Sequence, residues 1–312
     1  MQRTSGRYLV TGATGFLGAH VVAALLDRGF ESVGMARERS NTNRLRFLCP
    51  KLPAENLFRA DLGDVESLES AIANFAPDAI VHCAAYGVNY LEQDPKTAYR
   101  TNVIGTLNLL SSCEGTSVRK IVTIGTSYEY GDQPRPINLE TPFHPCNLYG
   151  KSKLEQTRAV QKYAKKSSLT LVNVRPFTMF GPAEGEHKFL PLVSARLLSG
   201  GTMELTLGEQ LRNYVYVRDA ASYLCDTLTR DAKSLSQINL YSGDNLSLRQ
   251  FGTLVADQIE HRGILEWGSK PYRENEIMRN YADNRSSILV NQTSINTAIA
   301  ETVEQNRLFA DA

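Results

Sequence analysis

The sequence predicts an α/β fold in which helices cover both faces of a doubly wound parallel sheet. Two observations predict this fold. Short apolar or β-branched runs alternate with helical segments of ten or more residues, a pattern typical of parallel βαβ units. A glycine-rich turn follows the first run, where such a sheet connects to its first helix.

Each element is predicted from its own hydrophobic period. The expected strands of the N-terminal part are residues 8–11, 31–36, 57–59, 79–83, 120–124 and 169–174. Its expected helices are residues 16–28, 64–75 and 95–113, with a further helix beginning near Tyr149. After Pro176 the alternation is less regular, with helices expected at 189–198, 219–228 and 247–259 and strands at 202–207 and 237–241. We therefore expect a large lobe over residues 1–175 and a smaller, interleaved substrate-binding lobe over 176–312.

Composition excludes several classes of protein. A hydrophobic content of 42% with 21% charged residues is typical of a globular protein, and the net charge of +1 gives no field to attract nucleic acid. Residues 1–7 lack an apolar signal segment, and no long apolar run predicts a membrane helix, so a cytoplasmic location is expected. The five cysteines have no metal-ligand spacing, so no metal site is predicted.

The glycine turn has the spacing of a phosphate-binding loop. Gly12 permits a tight turn, Gly15 lets the backbone approach a pyrophosphate, and Gly18 lets helix and strand pack closely. Its position after the first strand predicts a Rossmann-type dinucleotide site. The loop residues expected to contact the cofactor are Gly12, Thr14, Gly15, Phe16, Leu17 and Gly18.

The end of the second strand indicates which dinucleotide binds. Ala36 occupies the usual position of an acid that bonds the ribose 2′-hydroxyl of NAD, and Arg37 follows it. A guanidinium suits a 2′-phosphate, so NADP(H) is favoured, with Arg44 as a second contact and NAD(H) as the alternative. Glu38 argues the other way. Asp61 is expected to accept from the adenine amino group, beside Leu62.

Tyr149 and Lys153 are the candidate catalytic pair, because residues four apart on a helix share one face. An ammonium beside a phenol is expected to lower the pKa of the phenol, which makes a usable general acid or base. Thr126 follows the fifth strand, at the carboxyl edge of the sheet where α/β folds bind ligands. Its hydroxyl is expected to donate to a substrate oxygen.

Several motifs together resemble one family. They are residues 11–18, 82–85, 102–110, the segment around Thr126, 149–153, 175–182 and 212–219. In this order they resemble the extended short-chain dehydrogenases/reductases, the NAD-dependent epimerase/dehydratase family, over roughly residues 7 to 285. The resemblance implies a homodimer formed through residues 95–113 and 147–166.

The resemblance also implies a role for each matching position. Tyr149 would transfer the proton, Lys153 would be its electrostatic partner and a ligand of the nicotinamide ribose, and Thr126 takes the Ser/Thr position of the family. The implied cofactor contacts are Ala84, Ala85, Asn102, Pro176 and Phe177. The implied substrate contacts are Tyr86, Thr178, Arg212 and Arg273, the two arginines on the diphosphate. Thr178 replaces an asparagine and Asn213 an aspartate of many relatives.

Two features distinguish among the family's reactions. The 4,6-dehydratases carry an acid pair after the catalytic threonine, where this chain has Ser127 and Tyr128, and Glu129 would point to the other face of an extended segment. Dehydration is therefore disfavoured. Residues 125–131 and 267–276 resemble the corresponding runs of NDP-hexose 4-ketoreductases.

The predicted function is accordingly NADPH-dependent reduction of an NDP-4-keto-6-deoxyhexose to an NDP-deoxysugar. An NAD-dependent nucleotide-sugar 4-epimerase remains an alternative. A non-catalytic sensor or scaffold is the third interpretation, although such proteins usually lack the Tyr or the Lys that this chain retains. The role of residues 291–312 is left open.

Overall fold

The computed structural model describes residues 6–230, 235–260, 263–283, 288–290 and 292–310. The chain forms two compact units. The first unit consists of Met1–Glu129, Asn147–Arg175 and Ala221–Ile238, and the second of Tyr130–Cys146, Pro176–Ala220 and Asn239–Ala312. Residues 130–146 thus belong with the second unit and residues 221–238 with the first, which makes the interleaving finer than a single division at residue 175.

Strands and helices alternate through the first part of the chain. The strands are β1 (Arg7–Thr11), β2 (Glu31–Ala36), β3 (Leu57–Arg59), β4 (Ala79–His82), β5 (Lys120–Ile124) and β6 (Thr170–Pro176). The helices are α1 (Phe16–Asp27), α2 (Asn43–Leu48), α3 (Val65–Phe75), α4 (Pro95–Tyr99), α5 (Gly105–Cys113) and α6 (Leu148–Ala164). The six predicted strands and the three predicted helices are confirmed, with ends that shift by one or two residues.

The later elements are shorter and more varied. The strands are β7 (Thr178–Phe180), β8 (Thr202–Leu205), β9 (Leu211–Tyr216), β10 (Leu235–Tyr241), β11 (Asn245–Ser247), β12 (Ile264–Trp267), β13 (Arg279–Asn280) and β14 (Ile288–Leu289). The helices are α7 (Phe189–Leu198), α8 (Val217–Thr229), α9 (Leu248–Asp257) and α10 (Ile295–Ala310).

The main sheet has the order β14-β10-β6-β5-β4-β1-β2-β3, and the strands from β3 to β6 pair in parallel. The strand order reverses between β1 and β4, which is the topological switch point of a Rossmann-type sheet. In this register Thr11 lies beside both Met35 and His82. The carboxyl ends of β1 and β4 therefore meet where such folds bind ligands, and the predicted fold class is confirmed.

A π-helical segment, residues 100–104, joins α4 to α5 within the helix predicted at 95–113. It buries Asn102 completely. Because π-helical turns are rare and often occur at functional sites, Asn102 is a candidate functional residue.

The second unit is built around aromatic packing. Tyr214 of β9 stacks on Phe251 of α9 with ring centroids 3.9 Å apart, and Phe180 of β7 packs edge-on against the same ring at 5.2 Å. The pattern of β7 and β9 predicted no strand, since short strands carried by aromatic contacts lack a clear period. The stretch whose role was left open contains α10, where Glu301 accepts from the Tyr216 hydroxyl at 2.6 Å.

Membrane-spanning helices and metal-binding clusters are both absent from the residues that the structure describes. None of their helices is long and apolar enough to cross a membrane. Among these same residues, no group of three or more His, Cys, Asp or Glu side chains is placed to hold a metal ion.

Candidate active site

The glycine loop has the close packing that its spacing predicts. Gly12 adopts a φ of +65°, and a Cβ there would lie 2.6 Å from the backbone nitrogen of Ala84. A Cβ on Gly18 would lie 2.2 Å from the Gly12 carbonyl oxygen. Helix α1 begins after Gly15, and no side chain caps its N-terminus. Exposed N–H groups at a helix N-terminus suit a pyrophosphate, so the loop fits a dinucleotide.

The other loop residues are placed around this turn. Phe16 meets His20 edge-on at 5.5 Å, and the Thr14 carbonyl accepts from Arg44 Nη1 at 3.1 Å. Leu17 is buried. Arg44 is thus hydrogen-bonded to the glycine loop, and its contact with the cofactor stays a prediction.

A cavity of about 530 Å³ lies at the ends of β2 and β3. Its lining residues are Arg37, Glu38, Arg39, Arg59, Ala60, Asp61, Asp64 and Ser67. Arg59 Nη1 donates to the Arg37 carbonyl at 3.0 Å, and the Asp61 carboxylate accepts from Gly63 N–H at 2.7 Å. Arg37 and Asp61 therefore share one cavity, and Arg39 and Arg59 are cations that sequence reasoning did not assign to it. Leu62, next to Asp61, is buried in the core.

Helix α6 positions Tyr149 in its first turn. Asn147 caps the helix by accepting from Gly150 N–H at 2.8 Å, so the Tyr149 ring projects at a fixed angle. The side chains of Tyr149 and Thr126 are hydrogen-bonded to each other. Gly87, in the loop after β4, packs on the Tyr149 ring, since a Cβ there would lie 3.4 Å from Cδ2. The structure brings the predicted Thr126 and Tyr149 together.

The predicted effect of Lys153 on Tyr149 is wrong in this structure. Burial raises the pKa of the Tyr149 phenol above its ordinary value, and the charge of Glu129 adds to the rise. The Lys153 ammonium donates instead to Gln156 Oε1. At neutral pH Tyr149 is consequently protonated, which is the form of a proton donor.

Lys153 is buried, with 2% of its surface exposed. Burial lowers the pKa of its ammonium to about 8, while the Glu129 carboxylate and then Cys83 act in the opposite direction. The group therefore remains mainly a cation near neutral pH.

Glu129 lies where the sequence did not place it. Residues Ser127–Glu129 form a 3₁₀ turn rather than an extended segment, so the side chain folds inward and is completely buried. It accepts from Arg175 Nε at 2.7 Å. A Cβ on Gly125 would lie 2.5 Å from Glu129 Oε1, which explains why the turn needs glycine. The expectation that Glu129 points away is corrected by the turn.

Asn102 connects the loop after β4 to helix α6. Its Oδ1 accepts from Tyr86 N–H at 2.8 Å, and its Nδ2 donates to the Tyr86 carbonyl at 2.9 Å and to Ser152 Oγ at 2.8 Å. Ser152 Oγ in turn donates to the Tyr149 carbonyl at 2.9 Å. Asn102 thus braces both Tyr86 and the first turn of α6. The Tyr86 hydroxyl accepts from Asp94 N–H at 3.3 Å.

The cofactor and substrate contacts predicted beyond residue 175 lie in the second unit. Phe177 N–H donates to the Leu240 carbonyl at 3.1 Å, beside Pro176 at the end of β6. Arg212, 8% exposed, donates to the carbonyls of Leu211 and Ile277, and Arg273 is exposed. Among the residues that the structure describes, the buried Thr178 Oγ1 has no hydrogen-bond partner. The substrate roles of these residues remain predictions.

Sequence reasoning missed three buried residues around Tyr149 and Lys153. Glu129 and Arg175 form an ion pair, and Thr157 Oγ1 donates to Glu129 Oε2 at 3.0 Å. A signal did exist, since Tyr149, Lys153 and Thr157 repeat at intervals of four and so lie on one face of α6. Nothing in the local sequence indicates that Arg175 faces Glu129.

The comparison with protein families decides the classification. The sequence profile of the "NAD dependent epimerase/dehydratase family" matches residues 8–240. The chain belongs to this family. It is therefore an extended short-chain dehydrogenase/reductase, an NAD(P)-dependent enzyme of nucleotide-sugar chemistry, as the sequence predicted. The non-catalytic interpretation is thereby set aside.

Individual members of the family match over nearly the whole chain. A UDP-glucose 4-epimerase of Mycolicibacterium smegmatis is 28% identical, covering 96% of this chain and 97% of its own. A GDP-6-deoxy-D-talose 4-dehydrogenase of Aggregatibacter actinomycetemcomitans is 29% identical, with 97% and 98% covered. The crystal structure of a Thermus thermophilus UDP-glucose 4-epimerase in complex with NAD superposes with a TM-score of 0.83 at 26% identity, covering 96% and 99%.

Proposed function

We propose that the protein is an NADP(H)-dependent reductase that converts the C4 ketone of an NDP-4-keto-6-deoxyhexose into a hydroxyl. The observation that carries this proposal is the cavity at the ends of β2 and β3, whose lining includes Arg37, Arg39 and Arg59, with Ala36 next to Arg37 in the sequence. Three guanidinium groups suit a 2′-phosphate, and an alanine gives no acceptor for a 2′-hydroxyl. Specificity for NADPH suits net reduction, because the cell supplies it as a diffusible reductant.

The chain's own residues would hold the dinucleotide along the switch point. Gly12, Gly15 and the N-terminus of α1 would take the pyrophosphate, because no side chain caps that helix N-terminus. Arg37 and Arg44 would bind the 2′-phosphate, and Asp61 would accept from the adenine amino group. Ala84, Ala85, Asn102, Pro176 and Phe177 are assigned to the remaining length of the cofactor.

The proposed step divides the chemistry between cofactor and protein. When bound, NADPH supplies the hydride that reaches the ketone carbon. Thr126 would donate a hydrogen bond to the ketone oxygen, and Tyr149, protonated at neutral pH, would protonate the alkoxide. A proton from solvent would then restore the phenol, and the buried Lys153 ammonium would bond the nicotinamide ribose.

Substrate contacts are assigned to four residues. Thr178 would bond a sugar hydroxyl, a role supported by its unpaired Oγ1 among the described residues. Arg212 and Arg273 would neutralise the diphosphate, and Tyr86, held by Asn102, would contact the sugar.

An NAD-dependent nucleotide-sugar 4-epimerase is the second candidate. The full-length likeness to UDP-glucose 4-epimerases, one of them in complex with NAD, favours it. In that reaction Tyr149 would first accept and then return the proton, and no cofactor would be consumed.

The deciding experiment measures NADPH consumption with a panel of dTDP-, CDP-, GDP- and UDP-4-keto-6-deoxyhexoses, with NADH run in parallel. The same protein is incubated with UDP-glucose and UDP-galactose, and sugar interconversion is followed by chromatography. Stoichiometric NADPH oxidation with one member of the panel supports the reductase and names its nucleotide. Interconversion without net oxidation, with NAD released on denaturation, would replace the reductase by the epimerase.

We also infer a homodimer formed through residues 95–113 and 147–166. Tyr99 and Ile104 support it, since these apolar side chains are 52% and 40% exposed on α4 and the π-helical segment. Sedimentation of the wild type and of Ile104→Glu tests it, and a wild type that sediments as a monomer would contradict it.

A further inference from the structure

The buried carboxylate of Glu129 is held by three donors. Thr126 N–H donates to Oε1 at 3.0 Å, while Thr157 Oγ1 and Arg175 Nε donate to Oε2 at 3.0 and 2.7 Å. An ionised carboxylate is an acceptor only, so this set of donors matches the charged form. Burial raises the pKa of Glu129, whereas Arg175, Thr126 and Lys153 act in the opposite direction. The geometry is that of a fixed, buried anion.

The Glu129 carboxylate is hydrogen-bonded to two elements of the candidate site, the turn that contains Thr126 and helix α6. On one side it holds the backbone of Thr126, whose side chain is hydrogen-bonded to Tyr149. On the other side it is bonded to Thr157, which lies one helical turn beyond Lys153 on the face that also carries Tyr149. A single carboxylate therefore joins the turn that presents Thr126 to the helix that presents Tyr149 and Lys153.

Two other titratable groups near Lys153 are uncharged at neutral pH. Burial lowers the pKa of His82 to about 3 and raises the pKa of the Cys83 thiol to about 12. Arg175 is a cation but faces Glu129, and Tyr128 acts on Tyr149. Glu129 and Lys153 are both buried, and Thr157 connects the carboxylate to the helix that carries Lys153, so the Glu129 charge acts to raise the pKa of the ammonium.

We propose that Glu129, held in place by Arg175, is a positioning residue for Thr126, Tyr149 and Lys153, and supplies the buried counter-charge of the Lys153 ammonium. The inference rests on the proposed function for its effect on turnover. Neutralising Glu129 would free the Thr126 turn and favour loss of the Lys153 proton, because a buried cation without a counter-ion is costly.

Loss of the Glu129 charge is expected to change the pH profile of turnover. Turnover is expected to fall as pH rises through the pKa of Lys153, which is about 8. Glu129 keeps that pKa from falling further, so Glu129→Gln moves the decline to lower pH. A shift of about one pH unit would reduce the ratio of kcat at about pH 8 to kcat at about pH 6 roughly fivefold.

Three variants separate this role from a general loss of structure. Thr157→Val removes one hydrogen bond from Glu129 but keeps the charge, so the midpoint of the decline is expected to stay in place. Glu129→Asp retains the charge and should restore the midpoint even at reduced kcat. Because Glu129→Gln leaves Arg175 buried without its anion, the double variant Glu129→Gln/Arg175→Met provides a second, neutral background.

A measurement without substrate separates this proposal from the proposed function. Nuclear magnetic resonance of protein with isotope-labelled lysine follows the titration of Lys153, with Lys153→Met assigning its signal. If no nucleotide sugar is turned over by the wild type, the proposed function fails, while the Lys153 titration still decides the role of Glu129. An unchanged titration and an unchanged pH profile in folded Glu129→Gln, or failure of both neutral variants to fold, would overturn the proposal.

Discussion

His82 Nδ1 lies 2.7 Å from Thr11 Oγ1, between the adjacent strands β4 and β1. The neighbouring bonds fix the direction of this contact. Thr106 Oγ1 donates to the Asn102 carbonyl at 2.7 Å, so it must accept from His82 Nε2–H, 2.8 Å away. Nδ1 is then the acceptor of the Thr11 hydroxyl proton. A neutral histidine therefore links the end of β1, next to the glycine loop, to the π-helical segment.

This buried histidine makes stability depend on pH. Burial and the Lys153 charge lower the pKa of His82 to about 3, against an unfolded value of about 6.5. Below that value the unfolded chain binds a proton that the native state does not bind, so the free energy of unfolding falls as pH decreases. The His82 contribution to this slope is about 1.4 kcal/mol per pH unit at pH values between the two pKa values.

Denaturant unfolding at several pH values measures this slope. His82→Gln keeps a donor and an acceptor but does not titrate, so its slope should be smaller by the contribution of one proton. His144→Gln, at an exposed histidine, is the matched control and should keep the wild-type slope. Equal slopes in wild type and His82→Gln would show that His82 is not the responsible group.

Two alanine substitutions in the glycine loop should separate stability from cofactor binding. In Gly18→Ala the new Cβ would meet the Gly12 carbonyl oxygen at 2.2 Å, which forces helix and strand apart and lowers the melting temperature. In Gly15→Ala the corresponding distance is 3.1 Å and φ is −75°, so stability should change little. NADPH affinity should nevertheless fall in Gly15→Ala, because the Cβ covers the approach of the pyrophosphate. Thermal unfolding and fluorescence titration measure the two effects, and equal loss of stability in both variants would contradict this explanation.

Arg37→Ala should raise the KM for NADPH by about ten- to hundredfold, the expected loss of a charge-assisted hydrogen bond. The KM for NADH should hardly change, since NADH has no 2′-phosphate. Arg46→Ala is the control, because this exposed residue of α2 is not among the residues that line the cavity at the ends of β2 and β3. Steady-state kinetics with both cofactors provide the comparison. A cofactor preference that is the same in Arg37→Ala and the wild type would remove the argument for NADP(H).

Tyr149→Phe should lower kcat by about two to four orders of magnitude, the usual contribution of a general acid or base. NADPH affinity should be retained, since the ring remains packed on Gly87. Turnover and a separate binding titration are both needed to observe this difference. High residual turnover in Tyr149→Phe would exclude Tyr149 as the proton donor.

Thr126→Val should also lower kcat, because it removes the hydroxyl bonded to Tyr149 but keeps the branched shape. Thr126→Ser is the matched rescue, as it restores the hydroxyl without the methyl group. Turnover of the two variants under identical conditions is the measurement. If valine and serine variants have equal activity, the hydroxyl has no part in the reaction.

The pattern-based predictions succeeded where a local period or a turn was strong. Strands β1, β2, β4, β5 and β6 are mostly buried runs rich in apolar residues, and α7 was predicted to the residue. Helix α2 and strands β7 and β9 were missed, because these short elements have no regular apolar period and polar residues such as Arg212 and Asn213 interrupt them. Helix α10 was missed in a stretch without a familiar motif.

In the candidate site, too, some features were predicted from the sequence and others were missed. Spacing alone placed Tyr149 and Lys153 on one helical face, and their order after the glycine loop indicated the family. The sequence gives no distance between β5 and β6, so it could not show that Glu129 folds under Thr126 to reach Arg175.

By itself, then, the sequence determined the order of strands β1 to β6, the glycine loop and the family, since each depends on neighbours along the chain. Only the tertiary structure decided the protonation of Tyr149, the neutral form of His82 and the charge surrounding Lys153. These depend on burial and on groups distant along the chain. Glu129 and Arg175, for example, are 46 positions apart, yet Arg175 Nε lies 2.7 Å from Glu129 Oε2. Desolvation and Coulomb energies are set by distances in space, which local sequence does not encode.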